Sequence, residues 1–168
     1  LGGLTTPIKR NYEYPVAIWQ TNIPTREKLK IDDEFIKEKL FIAQKYALTN
    51  KAKLLVTPEG TLSNDFNLGK KIKVNMLAGG FRNFNNELRS SLLGFQIGDQ
   101  SFTSFIDKNR LVPLGEKIPR FFNNFSRGLS ALGGIQAGSD SRFFDPKFTP
   151  PLAVAICYEI SDGLKIRK

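Results

Sequence analysis

Residues 14–57 read YPVAIWQTNIPTREKLKIDDEFIKEKLFIAQKYALTNKAKLLVT, and the change of period inside this stretch decides the fold class. Tyr14 to Gln20 is a short, nearly all-apolar run that suits a buried strand. Asn22-Ile23-Pro24 closes it, because a residue before proline is kept out of the helical region. The pattern then changes. From Ile31 the apolar residues Phe35, Ile36, Leu40, Ala43, Tyr46 and Ala47 recur at spacings of three and four, which predicts a helix between Glu27 and Asn50 with one face on a sheet. Asp32, Asp33 and Glu34 put negative charge where a helix N-terminus favours it. Lys53 to Thr57 (KLLVT) reads as a second strand, stopped by Pro58. Strand, helix, strand with apolar runs implies packed α/β layers.

Further along, Val74 to Gly79 (VNMLAG) is an apolar strand ending in Gly79-Gly80. Glu87 to Gln96 and Ser101 to Asp107 form a strand pair joined through the hairpin-like Gly98. From Arg110 to Pro150 no period is sustained, as in segments that serve as lids or binding loops. Order returns at Leu152 to Cys157 (LAVAIC), the most strand-like run of the chain. There is no internal repeat and no low-complexity segment.

Composition excludes more than it selects. With 168 residues, 40% hydrophobic and 24% charged, the chain has the make-up of one globular domain. No uncharged apolar run approaches the roughly 18 residues that a membrane-spanning helix needs. The start, Leu1-Gly2-Gly3-Leu4, has neither an initiator Met nor a signal-peptide pattern, so the expectation is a piece of something larger. A net charge of +9 favours anionic surfaces, but the lysines and arginines are scattered rather than striped between aromatics, which argues for a solvated basic surface and against nucleic acid. The chain has no histidine, which removes Ser-His-Asp and Cys-His pairs and the commonest zinc sites. A single cysteine removes CxxC chemistry. Any catalytic base must then be a carboxylate or an amine, and no metal or cofactor is expected.

Three motifs fit that restriction: Thr57-Pro58-Glu59-Gly60, the run from Asp107-Lys108 to Gly115-Glu116, and Ile156-Cys157-Tyr158-Glu159. Each follows a predicted strand, and strand ends in α/β sheets are where side chains converge on ligands. A free thiol, with a pKa of about 8.5, needs a base or nearby positive charge to attack a carbonyl at neutral pH. Glu59 can take the proton, while Lys108 and the backbone N–H of Tyr158 can hold the oxygen that becomes negative. Singly, each residue has a plain structural reading: a cysteine ending an apolar run is most often a small buried hydrophobe, and Glu59 and Lys108 suit exposed loops. Their joint occurrence in this order is what points to chemistry.

The strings TPEG, IDKNRLVPLGE and AICYE resemble the Glu-Lys-Cys triad of the nitrilase superfamily. LVPLGE, with VAIWQTNIP, Leu77 to Arg82 and Ser126-Arg127-Gly128, is similar to its apolipoprotein N-acyltransferase branch. The resemblance runs from Val16 to Gly163 and implies an αββα sandwich, incomplete on its C-terminal side, over residues 14–168, with 1–13 a linker from a membrane region. It implies a bacterial inner-membrane enzyme whose catalytic domain faces the periplasm. Such an enzyme moves an acyl chain from a phospholipid, through a thioester on the cysteine, to the N-terminal amine of a diacylglyceryl-cysteine apolipoprotein. Carried over by motif, Glu59 is the base, Cys157 the nucleophile and Lys108 the oxyanion partner. Glu116 is a second essential carboxylate that orients the lysine or assists proton transfer, and Tyr158 and Glu159 line the site. Phe121-Phe122, Phe125 and Leu129 would be loops that dip into lipid, or else core filler. Two departures stand out: the chain ends at Lys168, before the strands that complete the sandwich, and Leu29 stands where some members carry tryptophan. The piece alone is expected not to turn over. A soluble nitrilase-family amidase is the alternative enzyme, and a non-catalytic basic domain that binds nucleic acid or anionic lipid is the rival from another class.

Overall fold

The computed structural model describes residues 13–23, 32–64, 66–112, 116, 135–139 and 143–161. The expected order of elements is there: strand β1 (Val16–Ile18), helix α1 (Asp33–Thr49) and strand β2 (Leu54–Leu62), with β1 and β2 parallel. But β1, expected as a buried strand over Tyr14 to Gln20, is only three residues long and leaves Val16 and Ile18 exposed. The side chain of Asp32 caps α1 by accepting the Phe35 N–H at 2.8 Å, and Asp33 and Glu34 fill its first turn. Residues 27–31 of the expected helix lie outside the described residues. The buried stripe of α1 is Ile36, Leu40, Gln44 and Ala47. Phe35 and Tyr46, expected on that stripe, are exposed instead, and Gln44 takes the inner position, where its Oε1 accepts the Lys73 N–H at 2.8 Å. A buried amide whose oxygen is satisfied by backbone, and whose Nε2 has no partner among the described residues, takes the place of an apolar residue, which the spacing of apolar letters cannot reveal.

Strands β3 (Asn75–Phe84), β4 (Glu87–Phe95) and β5 (Ser104–Asp107) complete a mixed five-stranded sheet in the order β1-β2-β3-β4-β5, parallel across the first three and antiparallel beyond. Strand β3 does not stop at Gly79-Gly80 as the sequence suggested. It runs on to Phe84 and turns through Asn85 and Asn86, both at positive φ (52° and 63°), the conformation that a tight two-residue hairpin demands.

Nor does Pro58 simply end β2. Thr57 pairs with Ala78 and Leu62 with Gly80, so Pro58, Glu59, Gly60 and Thr61 bulge out opposite Gly79 alone. Proline cannot donate to the ladder, and Gly60 (φ 68°) together with a Thr61 hydroxyl bond to the Pro58 carbonyl (2.7 Å) closes the loop. Gly79 is required by close approach: a Cβ there would overlap the Pro58 carbonyl and the Glu59 backbone.

The sheet is covered on both faces. On one, Leu55, Met76, Ala78, Leu93 and Phe95 pack with Ile36, Leu40 and Ala47 of α1. On the other, Leu54, Leu77 and Ile106 meet Phe144, Leu152 and Val154. This second cover corrects the expectation for Leu152 to Cys157. Only Leu152–Ala153 is a strand (β7), paired antiparallel with β6 (Phe143–Phe144) in a separate two-stranded sheet; residues 154–156 carry no strand, and Cys157–Ser161 is a 3-10 turn. An apolar run alone does not distinguish a sheet strand from an extended cover, and here the run lies over the sheet. Phe121, Phe122, Phe125, Leu129, Leu29 and Ser126-Arg127-Gly128 lie outside the described residues. Among those described, no helix is long and apolar enough to cross a membrane.

Leu40 is fully buried between α1 and the sheet, whereas Tyr46 is mostly exposed. Leu40→Ala is therefore expected to cost about 2–5 kcal/mol in urea denaturation and Tyr46→Ala less than about 0.5 kcal/mol.

Candidate active site

At the end of β5 successive side chains diverge, as in any strand. Asp107 turns to one side, where it accepts from Arg82 Nε at 2.7 Å and Nη2 at 2.5 Å, from Ser91 Oγ at 2.7 Å and, more loosely, from Arg89 at 3.4 Å. The Arg82 guanidinium also stacks 3.8 Å from the centre of the Phe105 ring. Burial alone would push the Asp107 carboxyl up, but the hydrogen bonds from Arg82 and Ser91 and the charges of Arg82 and Arg89 outweigh it and hold it below the usual carboxylate range. The pair locks the strand end immediately before the lysine.

Lys108 turns the other way and has no solvent exposure (0%). Its backbone is held on both sides, the N–H donating to the Ser90 carbonyl at 2.8 Å and the carbonyl accepting from Gly138 at 2.9 Å. Its ammonium donates to Glu59 Oε1 at 2.9 Å and to Glu116 Oε1 at 2.8 Å. Burial disfavours the charge, but the bonds to Glu116 and Glu59 overcome that penalty and raise the lysine above its ordinary value, so it stays protonated at neutral pH. Glu116 is itself fixed, with Oε2 accepting the Val112 N–H at 2.8 Å. Glu59, carried by the β2 bulge, accepts a further bond on Oε1 from Ser90 Oγ at 2.9 Å.

Cys157 is exposed and opens the 3-10 turn at φ 52°, a left-handed conformation that costs a non-glycine residue roughly 1–3 kcal/mol. Two residues on, Glu159 is buried and acts as a backbone clamp. Its Oε1 accepts the N–H groups of Asn109 (2.6 Å) and Arg110 (3.0 Å), and its Oε2 accepts that of Ile156 (2.7 Å). One carboxylate thus ties the segment after Lys108 to the turn that presents Cys157. Glu59 and Cys157 line one cleft of about 460 Å³, whose walls include Leu77, Gly79, Leu92 and Val154.

The structure therefore brings Glu59, Lys108 and Glu116 into direct contact and sets Cys157 on the cleft that Glu59 lines. Tyr158 and Glu159 were expected to line the site, yet neither is among the residues that line the cleft: Tyr158 is exposed under the Arg110 guanidinium (5.3 Å), and Glu159 is turned into backbone. Sequence reasoning missed Ser90, Arg82 and Asp107. The available signal was two hydroxyl residues, Ser90-Ser91, directly before the apolar Leu92-Leu93 of β4, where a buried hydroxyl must find a partner. Among the described residues no group of three or more His, Cys, Asp or Glu is placed to hold a metal.

No family model matches the chain. Individual proteins do. An apolipoprotein N-acyltransferase of Prochlorococcus marinus subsp. pastoris is 72% identical over 99% of this chain. Apolipoprotein N-acyltransferases of another Prochlorococcus marinus strain and of Parasynechococcus marenigrum are 46% and 41% identical over 91%. The chain is a homologue of the apolipoprotein N-acyltransferases. It spans about a third of their length, 34%, 31% and 33% of these three relatives. The mixed sheet with α1 on one face is consistent with part of the nitrilase-type α/β fold expected for such proteins.

Because the Asp107 carboxyl is held low in the folded chain, its contribution to stability is present above the unfolded carboxylate pKa of about 3.9 and is lost as pH falls through the lower folded value. In this N-acyltransferase homologue Asp107→Asn is expected to flatten the loss of stability below about pH 4, measured as melting temperature against pH. An unchanged acid limb would contradict that assignment.

Proposed function

We propose that this chain forms the catalytic part of an N-acyltransferase that moves an acyl chain from a phospholipid, through a thioester on Cys157, to the N-terminal amine of a diacylglyceryl-cysteine apolipoprotein. The observation that carries the reading is the 72% identity to an apolipoprotein N-acyltransferase across 99% of the chain. Glu59, which lines one cleft with Cys157, also accepts a hydrogen bond from the buried Lys108 ammonium, and this supports the reading from the chemical side.

Glu59 takes the thiol proton as the Cys157 sulfur attacks the ester carbonyl of the phospholipid. An ammonium has three N–H donors, and among the described residues Glu59 and Glu116 use two, which leaves one for the oxygen that becomes negative. When the intermediate collapses, the C–O bond to the glycerol breaks and the leaving oxygen takes the proton from Glu59. The apolipoprotein amine then attacks the thioester and forms the C–N bond, passing a proton to Glu59; the C–S bond breaks and the Cys157 sulfur takes that proton. Glu116 keeps Lys108 in place by fixing both the ammonium and the Val112 backbone. The apolar wall of the cleft suits an acyl chain. The catalytic domain spans residues 14–168 with 1–13 as linker, and the piece by itself does not turn over; the whole protein sits in the bacterial inner membrane with this domain on the periplasmic side. The competing amidase reading draws no support from relatives named as acyltransferases.

Incubation of the full-length protein with phospholipid is expected to add one acyl mass to the peptide carrying Cys157, sensitive to hydroxylamine and absent in Cys157→Ala. Lys108→Met, which keeps the stem but not the charge, is expected to slow that addition by roughly 100-fold or more. Wild-type protein that never gains the acyl mass would sink the reading.

A further inference from the structure

Glu59 has two carboxylate oxygens with unequal surroundings. One, Oε1, accepts two donors, Lys108 Nζ and Ser90 Oγ, each at 2.9 Å. The other accepts no hydrogen bond from any described residue, on a side chain that lines the cleft together with Cys157. A half-turn of the carboxylate would exchange the labels but not the positions, because the two donors are fixed in the protein. Ser90 is buried in the middle of β4 (1% exposed), and the same residue accepts the Lys108 backbone N–H through its carbonyl. One serine therefore sets both partners, the lysine through its main chain and the base through its hydroxyl.

From this geometry we infer that Ser90 is a positioning residue that, with Lys108, pins one oxygen of Glu59 so that the other oxygen, which accepts no hydrogen bond from a described residue, takes the Cys157 proton. The inference rests on the function proposed above for the acyl step, and on Glu59 as base for the thiol step. In the first half-reaction the proton leaves Sγ for that other Glu59 oxygen while the sulfur lone pair forms the C–S bond. Without the Ser90 hydroxyl, Oε1 keeps a single donor, and the carboxylate can rotate about its Cγ–Cδ bond and divide its time between orientations. The proton acceptor is then correctly placed for only part of that time, which lowers the rate of the chemical step and leaves phospholipid binding untouched.

Two rates measured on full-length protein test this. The first is acyl addition to Cys157 from phosphatidylethanolamine vesicles over a range of lipid concentrations. The second is alkylation of Cys157 by iodoacetamide, followed on the same peptide by mass spectrometry, which needs the thiol proton removed but no acyl donor. For Ser90→Ala the expectation is a roughly tenfold to hundredfold fall in the maximal acylation rate, the scale of one hydrogen bond to a charged group. The half-saturating lipid concentration should be unchanged, alkylation slowed in parallel, and Ser90→Thr, which restores the hydroxyl, should recover most of both rates. Wild-type rates in Ser90→Ala, or a slowing that Ser90→Thr does not reverse, overturn the inference. Wild-type protein that alkylates but never acylates overturns the acyltransferase reading instead, and the alkylation ratio of Ser90→Ala to wild type still decides the role of Ser90.

Discussion

An ammonium with no access to water must be met by negative charge or give up its proton, and in this chain Lys108 is met by two carboxylates drawn from distant points of the sequence. Glu59 comes from a bulge between β2 and β3, Glu116 from beyond β5, and Lys108 from the strand end between them. Such a buried arrangement is poor evidence of stability, because well-packed apolar residues often do as well. Its value is geometric. Each carboxylate is held on the ammonium by a second fixture, Ser90 for Glu59 and the Val112 N–H for Glu116, so the charged centre has little freedom to rearrange.

Much of the surrounding fold can be understood as support for that centre. Gly79 lets the bulge approach β3 closely enough to carry Glu59, since any side chain there would meet the Glu59 backbone. Arg82 and Asp107 brace the end of β5 from the opposite side. Glu159 joins the backbone after Lys108 to the strained turn of Cys157, so that Cys157 and Lys108 are referenced to a single buried side chain. The cleft lined by Glu59 and Cys157 thus lies on the face of the sheet that Leu152 and Val154 cover, and α1 covers the other.

The helix was legible because its cap, its acidic first turn and a three-four spacing all agree at Asp32 to Ala47. The motifs around Glu59, Lys108 and Cys157 were legible because residue type limited the chemistry once histidine was absent. What stayed hidden was set by tertiary contact. The passage of β3 through Gly79-Gly80 reads as a stop in one dimension, yet these glycines serve a neighbouring bulge. The run Leu152 to Cys157 has the letters of a central strand, but only two residues pair, and the rest is cover for Leu54 and Leu77. Glu159 looked like a residue facing the ligand, since a charge beside a nucleophile suggests one, whereas three backbone N–H groups claim it. Two of those partners, Asn109 and Arg110, lie 50 and 49 residues away and leave no local pattern.

Glu59, Lys108 and Glu116 act as one electrostatic unit rather than as three charges that happen to be near each other. A double-mutant cycle with Glu59→Gln and Lys108→Met, read by chemical denaturation at neutral pH, measures this most directly. The expected coupling energy between the two sites is about 1–3 kcal/mol. Single-mutant effects that add to within about 0.5 kcal/mol would contradict it.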